Sequence, residues 1–386
     1  MYIAITGRER QLALAELEAL FDSSLITPFS KHAALIDADS APKLFRQIGS
    51  SIKLAKVIDI VDANGFNVDQ WLDQNATNSI ELTSNRKMNL GISCYGADEL
   101  HRPLFKGLNR VLSAADKNVR TINPKHKARM SSAQVFHNKL DMPRNLEFVC
   151  IKNGSKLALA TTTNVQNITA YRVRDRNRPK RDAVVGMLPP KLAQTLVNLS
   201  GVSSTAVGKT LLDPFCGTGV TLIEAGLMGF TLLGSDIEQR MIDYTEENLK
   251  WVDSEKNLPS WQLERGDAQK LQWPKQVDTV VSEIYLGDPL DETPSAVQRS
   301  RLESEARDLI INFLENLHSQ LESGTPVVLA TPAWRKKQQF EPAITLDDLE
   351  RLGYNRIDFQ HVDTTELIYA RPNQYVGRKI FVMKRV

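Results

Sequence analysis

The sequence predicts an α/β protein with a mostly parallel, doubly wound sheet in its carboxyl-terminal half, preceded by a smaller α+β region. Apolar runs typical of buried strands alternate with helical patterns from residue 183 to the end, which favours helices on both faces of that sheet. One of these strands runs directly into a glycine-containing loop at Asp213–Gly219 and then into a helix closed by Gly229. With 386 residues the chain is long for a single core, so two or three domains are expected.

Local patterns divide the chain before this domain. A strand at Tyr2–Ile5 and a helix at Gln11–Phe21 indicate a small α+β unit of ferredoxin-like type. Further on, Asn153–Gly154 between two apolar runs is a strong β-hairpin signal. The stretch Tyr171–Asp182 is polar and basic without periodicity, which indicates a linker. The predicted segments are therefore 1–60 (amino-terminal unit), 61–170 (second α+β domain), 171–185 (linker) and 186–386 (carboxyl-terminal domain).

Seven strands are predicted in the carboxyl-terminal domain, each a short apolar run. They are Thr210–Pro214, Thr231–Asp236, Trp261–Glu264, Val277–Ser282, Pro326–Ala330, Arg356–Asp363 and Lys379–Lys384. A helix predicted over Ser295–Leu321 carries Leu309, Phe313 and Leu317 on one stripe. We expect that stripe to pack against the sheet.

The charge is distributed unevenly along the chain. The formal net charge is only +2, but residues 101–182 hold 18 Lys or Arg against 5 Asp or Glu. A basic block beside an acidic remainder is typical of a nucleic-acid-binding segment attached to a catalytic domain. The alternative is a set of solvated faces whose charges scatter once the chain has folded.

The composition argues against several other classes of protein. The three cysteines are widely spaced and odd in number, so neither a disulfide framework nor a zinc site is indicated, and no metal is expected. No apolar run approaches the ~20 residues needed to span a bilayer. Charged residues close to Met1 do not fit a signal peptide. We therefore expect a cytoplasmic protein without membrane segments.

The glycine loop carries the most specific chemical signal. Gly217 and Gly219 allow the backbone to turn sharply and to approach a ligand closely. A dinucleotide-binding loop would have a third glycine at position 222, where this chain has Leu222. A cofactor of amino-acid type fits better, because Asp213 at the strand's end can accept hydrogen bonds from an ammonium group. An ordinary glycine turn before a helix is the alternative.

The run Asp213–Gly219 resembles the Asp-Pro-Phe-x-Gly-Thr-Gly motif of S-adenosylmethionine-dependent methyltransferases, particularly the RNA-modifying branch. The resemblance implies a Rossmann-like class I methyltransferase domain with seven strands, the last one inserted antiparallel. It also implies S-adenosylmethionine as the cofactor.

Two more acids end successive strands. Asp236 follows Asp213 by 23 residues, where a carboxylate can accept hydrogen bonds from both hydroxyls of a ribose. By resemblance, Asp267 would accept a hydrogen bond from the adenine amino group. Each acid taken alone could instead be a helix cap or a turn residue. The predicted cofactor-binding residues are Asp213, Phe215, Gly217, Thr218, Gly219, Asp236, Ile237, Asp267 and Ala268.

The expected methyl-acceptor motif is incomplete. Methyltransferases that act on exocyclic amines commonly have (Asp/Asn/Ser)-Pro-Pro-(Tyr/Phe/Trp) after the fourth strand, whereas this chain has Val281–Gly287 without either proline. Ser282 and Tyr285 match the ends of the motif. In one interpretation Glu283 supplies the acceptor, Ser282 assists and Tyr285 stacks on the base, so these three are the predicted catalytic residues. In the other, the acceptor chemistry is lost or changed.

Three stretches resemble the THUMP module of tRNA-modifying enzymes, namely Ser131–Leu140, Ala160–Asn167 and Tyr171–Pro190. The whole layout is similar to the tRNA (guanine-10, N2) methyltransferase family. This resemblance implies a THUMP domain that binds tRNA and a catalytic domain that methylates the N2 amine of a guanosine. The predicted phosphate contacts are Arg102, Lys106, Arg110, Lys125, Lys127, Arg129 and Lys139.

Two competing functions stay open at this stage. The missing prolines also fit a non-catalytic RNA-binding protein that keeps the methyltransferase fold. A DNA amino-methyltransferase is disfavoured, because the basic block precedes the cofactor loop in a THUMP-like unit. The sequence does not reveal the modified position, the number of methyl groups, the oligomeric state or the need for a small activating subunit.

Overall fold

A computed structural model describes residues 1–79, 87–115, 117–125, 128–182, 187–202, 206–274, 276–287, 294–337, 339–372 and 374–386, with the side chains of 76–79 excepted. The chain forms two compact units. The first comprises Met1–Arg10, Ser24–Arg46 and Ser51–Ala170, and the second Gln11–Ser23, Gln47–Ser50 and Tyr171–Val386. Residue 186, the predicted start of the carboxyl-terminal domain, lies outside the described residues. Within the described ranges, no helix combines the length and apolar character needed to cross a membrane.

The first unit is built on an eight-stranded mixed sheet. Its strands, in chain order, are β1 Tyr2–Thr6, β2 Ile26–Ser30, β3 Ala33–Ile36, β4 Ser51–Asp62, β5 Met88–Tyr95, β6 Val119–Ile122, β7 Leu146–Asn153 and β8 Lys156–Val165. The strand order is β2-β3-β1-β4-β8-β7-β5-β6, and only β5 with β6 and β5 with β7 pair in parallel. The boundary predicted at residue 60 lies inside β4.

Six helices lie between or beside these strands in the described part of the chain. They are α1 Arg10–Leu20, α2 Ala41–Leu44, α3 Val68–Ser79, α4 His101–Ala114, α5 Ser132–His137 and α6 Ile168–Arg176. Of these, most of α1 and most of α6 belong to the second unit. The predicted hairpin is confirmed, because β7 and β8 pair antiparallel across Asn153–Gly154 and Gly154 has a φ of +55°. The predicted helix at Gln11–Phe21 is also confirmed, and its Leu14 and Leu17 side chains are fully buried.

The second unit contains the predicted parallel sheet. Its strands are β9 Thr210–Asp213, β10 Thr231–Asp236, β11 Trp261–Arg265, β12 Thr279–Glu283, β13 Pro326–Lys336, β14 Gln339–Pro342, β15 Tyr354–Arg356, β16 Ile368–Tyr369 and β17 Val376–Arg385. Seven of them form one path in the order β11-β10-β9-β12-β13-β17-β15. The five from β11 to β13 run parallel, and β17 is inserted antiparallel between β13 and β15. This is the predicted arrangement, extended by the short strands β14 and β16.

Helices cover this sheet. They are α7 Pro190–Leu199, α8 Val220–Met228, α9 Gln239–Lys256, α10 Ala296–His318 and α11 Leu346–Arg351. The apolar stripe of α10, including Phe313 and Leu317, packs in one core with Leu212, Val280 and Leu329 of the central strands. The close packing explains why these strands are continuous apolar runs in the sequence.

Two local predictions are wrong, and tertiary contacts give the reason in each case. The predicted strand at Arg356–Asp363 ends at Arg356, because the backbone N–H groups of Gln360 and His361 donate to the Glu18 carboxylate at 2.6 and 2.9 Å. A side chain thus takes the place of a neighbouring strand.

Part of the predicted linker is helical. Helix α6 extends to Arg176, where the sequence shows no apolar periodicity. Arg174 makes a bidentate ion pair with the buried Glu224 at 2.6 and 3.0 Å, and its guanidinium lies 4.7 Å from the centre of the Tyr171 ring. Bidentate Arg–carboxylate pairs are strong and geometrically specific, so a polar sequence can be ordered by contacts that its periodicity does not show.

Candidate functional site

The glycine loop lies between β9 and α8, at the carboxyl edge of the parallel strands. Gly217 and Gly219 both adopt left-handed backbone conformations, with φ of +51° and +79°. A Cβ atom on Gly219 would come within 2.9 Å of the Thr245 side chain. Glycine is therefore required at position 219 by both the dihedral angle and the lack of space.

Helix α9 holds this loop in place. The Thr245 hydroxyl donates to the carbonyl of Gly217 at 2.8 Å, and the Asn248 amide donates to the carbonyl of Thr218 at 2.9 Å. Both side chains are fully buried. Sequence reasoning missed them, although polar residues within the apolar face of a predicted helix are a usable signal. The loop is thus preorganised by side chains from outside it.

Asp213 ends β9 and is almost completely buried. Its Oδ1 accepts a hydrogen bond from the Ser282 hydroxyl at 2.6 Å and one from the backbone N–H of Phe215 at 3.3 Å. Burial raises the pKa of Asp213 to about 7, although the Ser282 hydrogen bond opposes the shift. Ser282, predicted to be catalytic, is fully buried and lies against this carboxyl group.

Asp236 ends β10, and Asp267 follows β11 by two residues. Asp236 accepts hydrogen bonds from the backbone N–H groups of Gly217 and Glu238, each at 3.0 Å, while burial raises its pKa. Asp267 accepts one from the backbone N–H of Gln269 at 3.0 Å. These bonds orient both carboxylates and leave lone pairs on their oxygens for a ligand.

The structure brings most of the predicted site into one cavity of about 570 Å³. Of the predicted cofactor-binding residues, only Gly219 does not line it. The lining also includes Glu283 and Tyr285 but not Ser282. Other lining residues include Glu238, Arg240, Met241 and Gln269, which sequence reasoning did not assign to the site, and Leu309, which it placed on the apolar stripe of the predicted helix Ser295–Leu321.

The acceptor motif continues β12 into this cavity. Glu283 is the last residue of the strand, Ile284 is fully buried, and the Tyr285 side chain is 46% exposed. The Glu283 carboxylate forms an ion pair with Arg378 of β17, in which Nε of the guanidinium donates to Oε1. Sequence reasoning missed Arg378, because nothing near it in the chain marks it.

The basic residues predicted to contact RNA lie in the first unit. Arg102, Lys106 and Arg110 follow one another at four-residue intervals along α4, and all three are exposed. They therefore form one stripe on the helix surface. Arg110 also makes ion pairs with Asp69 at 3.2 Å and Asp73 at 2.8 Å.

The other predicted RNA contacts are more scattered. Lys125 and Lys139 are exposed, whereas Arg129 is half-buried with its guanidinium 5.2 Å from the centre of the Tyr95 ring. Lys127 lies outside the described residues.

The groups that line the cavity fit S-adenosylmethionine. Its carboxylates supply acceptors for an ammonium group, ribose hydroxyls and an adenine amine. Ile237, whose side chain is 62% exposed, and the half-buried Phe215 offer apolar surface for a ring. The volume lies within the range of small-molecule sites. Among the described residues, no group of three or more His, Cys, Asp or Glu side chains could hold a metal ion.

The similarity to known proteins agrees with this geometry. Residues 177–364 match the UPF0020 family model, described as RMKL-like, methyltransferase domain. The crystal structure of TrmN from Thermus thermophilus aligns with all of this chain and 99% of its own, with a TM-score of 0.53 at 17% identity. The predicted Rossmann-like class I methyltransferase fold is confirmed.

Two relatives carry a more specific name. The chain is 39% identical over 147 residues to the tRNA (guanine(10)-N2)-dimethyltransferase of Methanothermobacter thermautotrophicus, which covers 38% of this chain and 39% of that protein. It is 34% identical over 197 residues to the enzyme of the same name from Pyrococcus abyssi, which covers 51% of this chain and 50% of that protein. The chain thus spans half or less of the length of these relatives. The predicted resemblance to the tRNA (guanine-10, N2) methyltransferases is confirmed, while the THUMP domain stays a prediction.

Substitution of Gly219 tests the steric constraint on the loop. We expect Gly219→Ala to weaken binding of S-adenosylhomocysteine about tenfold or more, equivalent to ~1.4 kcal/mol, because Thr245 must move. Gly208→Ala is the matched control, since Gly208 has a φ of +81° with no atom within 4 Å of the added Cβ. It should lose only the roughly 1–2 kcal/mol of stability that the left-handed conformation costs. Calorimetry and thermal unfolding measure both effects, and equal ligand affinities in the two variants would contradict the constraint.

The raised pKa of Asp213 predicts a pH-dependent stability. Between about pH 4 and about pH 7 this carboxyl is ionised when unfolded and protonated when folded, so the folded state loses stability as the pH rises. Asp213→Asn removes this dependence. The free energy of unfolding of Asp213→Asn minus that of wild type should therefore increase by roughly 4 kcal/mol as the pH rises from about 4 to about 7.

Urea unfolding of the two proteins at several pH values measures the difference. Ser282→Ala should extend the pH range over which stability falls, because it removes a hydrogen bond that lowers the pKa of Asp213. If the free energies of unfolding of wild type and Asp213→Asn changed in parallel with pH, the raised pKa of Asp213 would be contradicted.

Proposed function

We propose that this protein transfers a methyl group from S-adenosylmethionine to the exocyclic N2 amine of a guanosine in tRNA. The observation that carries the proposal is one cavity in which three strand-end carboxylates meet Glu283 and Tyr285. The names of the relatives support the choice of tRNA and of the guanine amine.

In this proposal, each residue in the cofactor half of the cavity contacts a particular part of S-adenosylmethionine. Asp236 accepts hydrogen bonds from the ribose hydroxyls, Asp267 from the adenine amine, and Asp213 with the glycine loop faces the amino-acid end. Ile237 and Ala268 contact the adenine ring. When bound, S-adenosylmethionine supplies an electrophilic methyl group next to a positively charged sulfur.

The acceptor half takes a base swung out of its helix. Tyr285, which is substantially exposed, stacks on the base, as aromatic side chains do in enzymes that act on extruded nucleotides. Glu283 accepts a hydrogen bond from the N2 amine, orients its lone pair and takes the proton that the amine loses. Ser282 assists through its hydrogen bond to Asp213.

The first unit is assigned to tRNA binding as a THUMP-like domain. Exposed Arg102 and Lys106 on α4, together with Lys125 and Lys139, provide positive charge for phosphate contacts. Arg110 contributes less, because Asp69 and Asp73 balance its charge.

Labelled S-adenosylmethionine incubated with the purified protein and bulk tRNA tests the proposal. We expect mass spectrometry of the nucleosides to show labelled N2-methylated guanosine in this tRNA. The same nucleoside should be reduced or absent in tRNA from a strain that lacks the gene, compared with its parent. Glu283→Ala should reduce methyl transfer about 100-fold or more and leave cofactor binding nearly intact. Glu322→Ala, at an exposed glutamate away from the cavity, is the control. No methyl transfer by wild type would favour an RNA-binding protein without this catalysis, and equal transfer to duplex DNA would favour a DNA methyltransferase.

The salt dependence of tRNA binding tests the role of the first unit. If about six phosphates are neutralised, the log–log slope of affinity against salt should be about −4 to −5. Lys106→Ala should make the slope shallower by about 1. Arg110→Ala should change it less, because its positive charge is already balanced. A flat salt response would exclude nucleic-acid binding by this surface.

A further inference from the structure

Arg378 reaches the acceptor motif because β17 is antiparallel to its neighbours. The amino end of β17 therefore lies at the edge where the parallel strands have their carboxyl ends. In the sheet register Arg378 lies opposite Pro332 of β13, two residues beyond Ala330, which lies beside Glu283 of β12. The guanidinium thus reaches across β13 to the end of β12.

The ion pair fixes the carboxylate from one side. The Arg378 and Glu283 side chains are only 7% and 16% exposed, so the pair is screened from bulk water. Nε of Arg378 donates to Oε1, whereas Oε2 has no hydrogen-bond partner among the described residues. Glu283 lines the cavity and Arg378 does not. The arrangement leaves Oε2 and the second lone pair of Oε1 available to a substrate.

The Watson–Crick edge of guanine matches such a carboxylate. Guanine presents two adjacent donors there, N1–H and the N2 amine, and a carboxylate can accept from both. Adenine and 2,6-diaminopurine have a lone pair at N1, which would face a negatively charged oxygen. In this chain the first position of the motif is the buried Ser282, which donates to Asp213, so Glu283 is the motif residue that offers a carboxylate to the base. Glu283 can therefore distinguish guanine from bases that carry an exocyclic amine but have no hydrogen on N1.

We propose that Arg378 is a positioning residue that holds Glu283 so that its carboxylate accepts from both N1–H and the N2 amine, which makes the site specific for guanine. This inference rests on the proposed function and names how that site selects its base. An arginine suits the role because its planar guanidinium fixes a carboxylate in one geometry, whereas a lysine ammonium acts as a point charge.

A tRNA whose mapped target guanosine is replaced by 2,6-diaminopurine tests the selection. This base keeps the N2 amine and loses only N1–H and the O6 oxygen. We expect wild type to prefer guanosine in kcat/KM by roughly 100-fold or more, since a site built for a donor rejects an analogue that lacks it. Glu283→Gln should reduce that ratio at least about tenfold or reverse it, because a carboxamide can donate to N1 and accept from the amine.

Variants of Arg378 test the positioning. Arg378→Lys keeps the charge, and the double variant Glu283→Gln with Arg378→Gln leaves no unpaired charge in the protein. We expect Arg378→Lys to lower kcat about 100-fold by misplacing the carboxylate, with cofactor affinity unchanged and the preference for guanosine reduced. Arg356→Gln, which removes an exposed ion pair with Asp358, is the control and should change neither value.

The outcomes separate this inference from the proposed function. Equal kcat/KM for guanosine and 2,6-diaminopurine, or a wild-type base preference in Arg378→Lys, would overturn the inference and leave the methyltransferase intact. No transfer to any tRNA guanosine by wild type would overturn both. A stable double variant whose preference moves toward 2,6-diaminopurine, as in Glu283→Gln alone, would support the inference and exclude general misfolding as the cause.

Discussion

Carboxylates gathered at one edge of a parallel sheet are the constraint on which the second unit depends. Asp267, Asp236, Asp213 and Glu283 follow or end four neighbouring strands, β11, β10, β9 and β12. Parallel strands necessarily place these residues together. Like charges in a partly buried cavity repel one another, and both burial and the charge of Asp236 raise the pKa of Asp213. The surrounding structure has to offset that cost.

The compensating groups come both from the loops that bear the acids and from the elements packed against those loops. Backbone N–H groups orient Asp236 and Asp267, and the Ser282 hydroxyl stabilises Asp213. Helix α10 anchors the loop after β11, since the Asn316 amide donates to the carbonyl of Ala268 at 3.0 Å. Each carboxylate is thereby oriented before a ligand arrives, which reduces the ordering that binding requires.

Much of this could be predicted from sequence because the decisive signals are local. A strand, a turn that needs glycine and a helix lie in one continuous stretch around Gly217, and successive strand ends carry Asp213 and Asp236. The missed elements depend on contacts distant in the chain. Glu18 ends a predicted strand from 342 residues away, and Arg378 pairs with Glu283 across 95 residues. No local pattern distinguishes such residues, since their partners are fixed only by tertiary packing, for Arg378 by the register of the sheet.

The prolines of the expected motif and the Arg378–Glu283 ion pair can be understood as two ways to fix the direction of a hydrogen-bond acceptor. Prolines restrict the backbone and so fix the direction of a main-chain carbonyl. This chain lacks them, and Arg378 instead restricts a side chain. A buried ion pair adds little net stability, because desolvation of both charges offsets their attraction, whereas removal of one partner is costly. Its benefit is therefore geometric. A carboxylate next to the neutral Ser282 also changes what the site can recognise, since two acceptors on one planar group match two adjacent donors on the substrate. On the proposed role of Glu283, the departure from the expected motif sharpens base selectivity, because the guanidinium keeps the carboxylate facing the cavity.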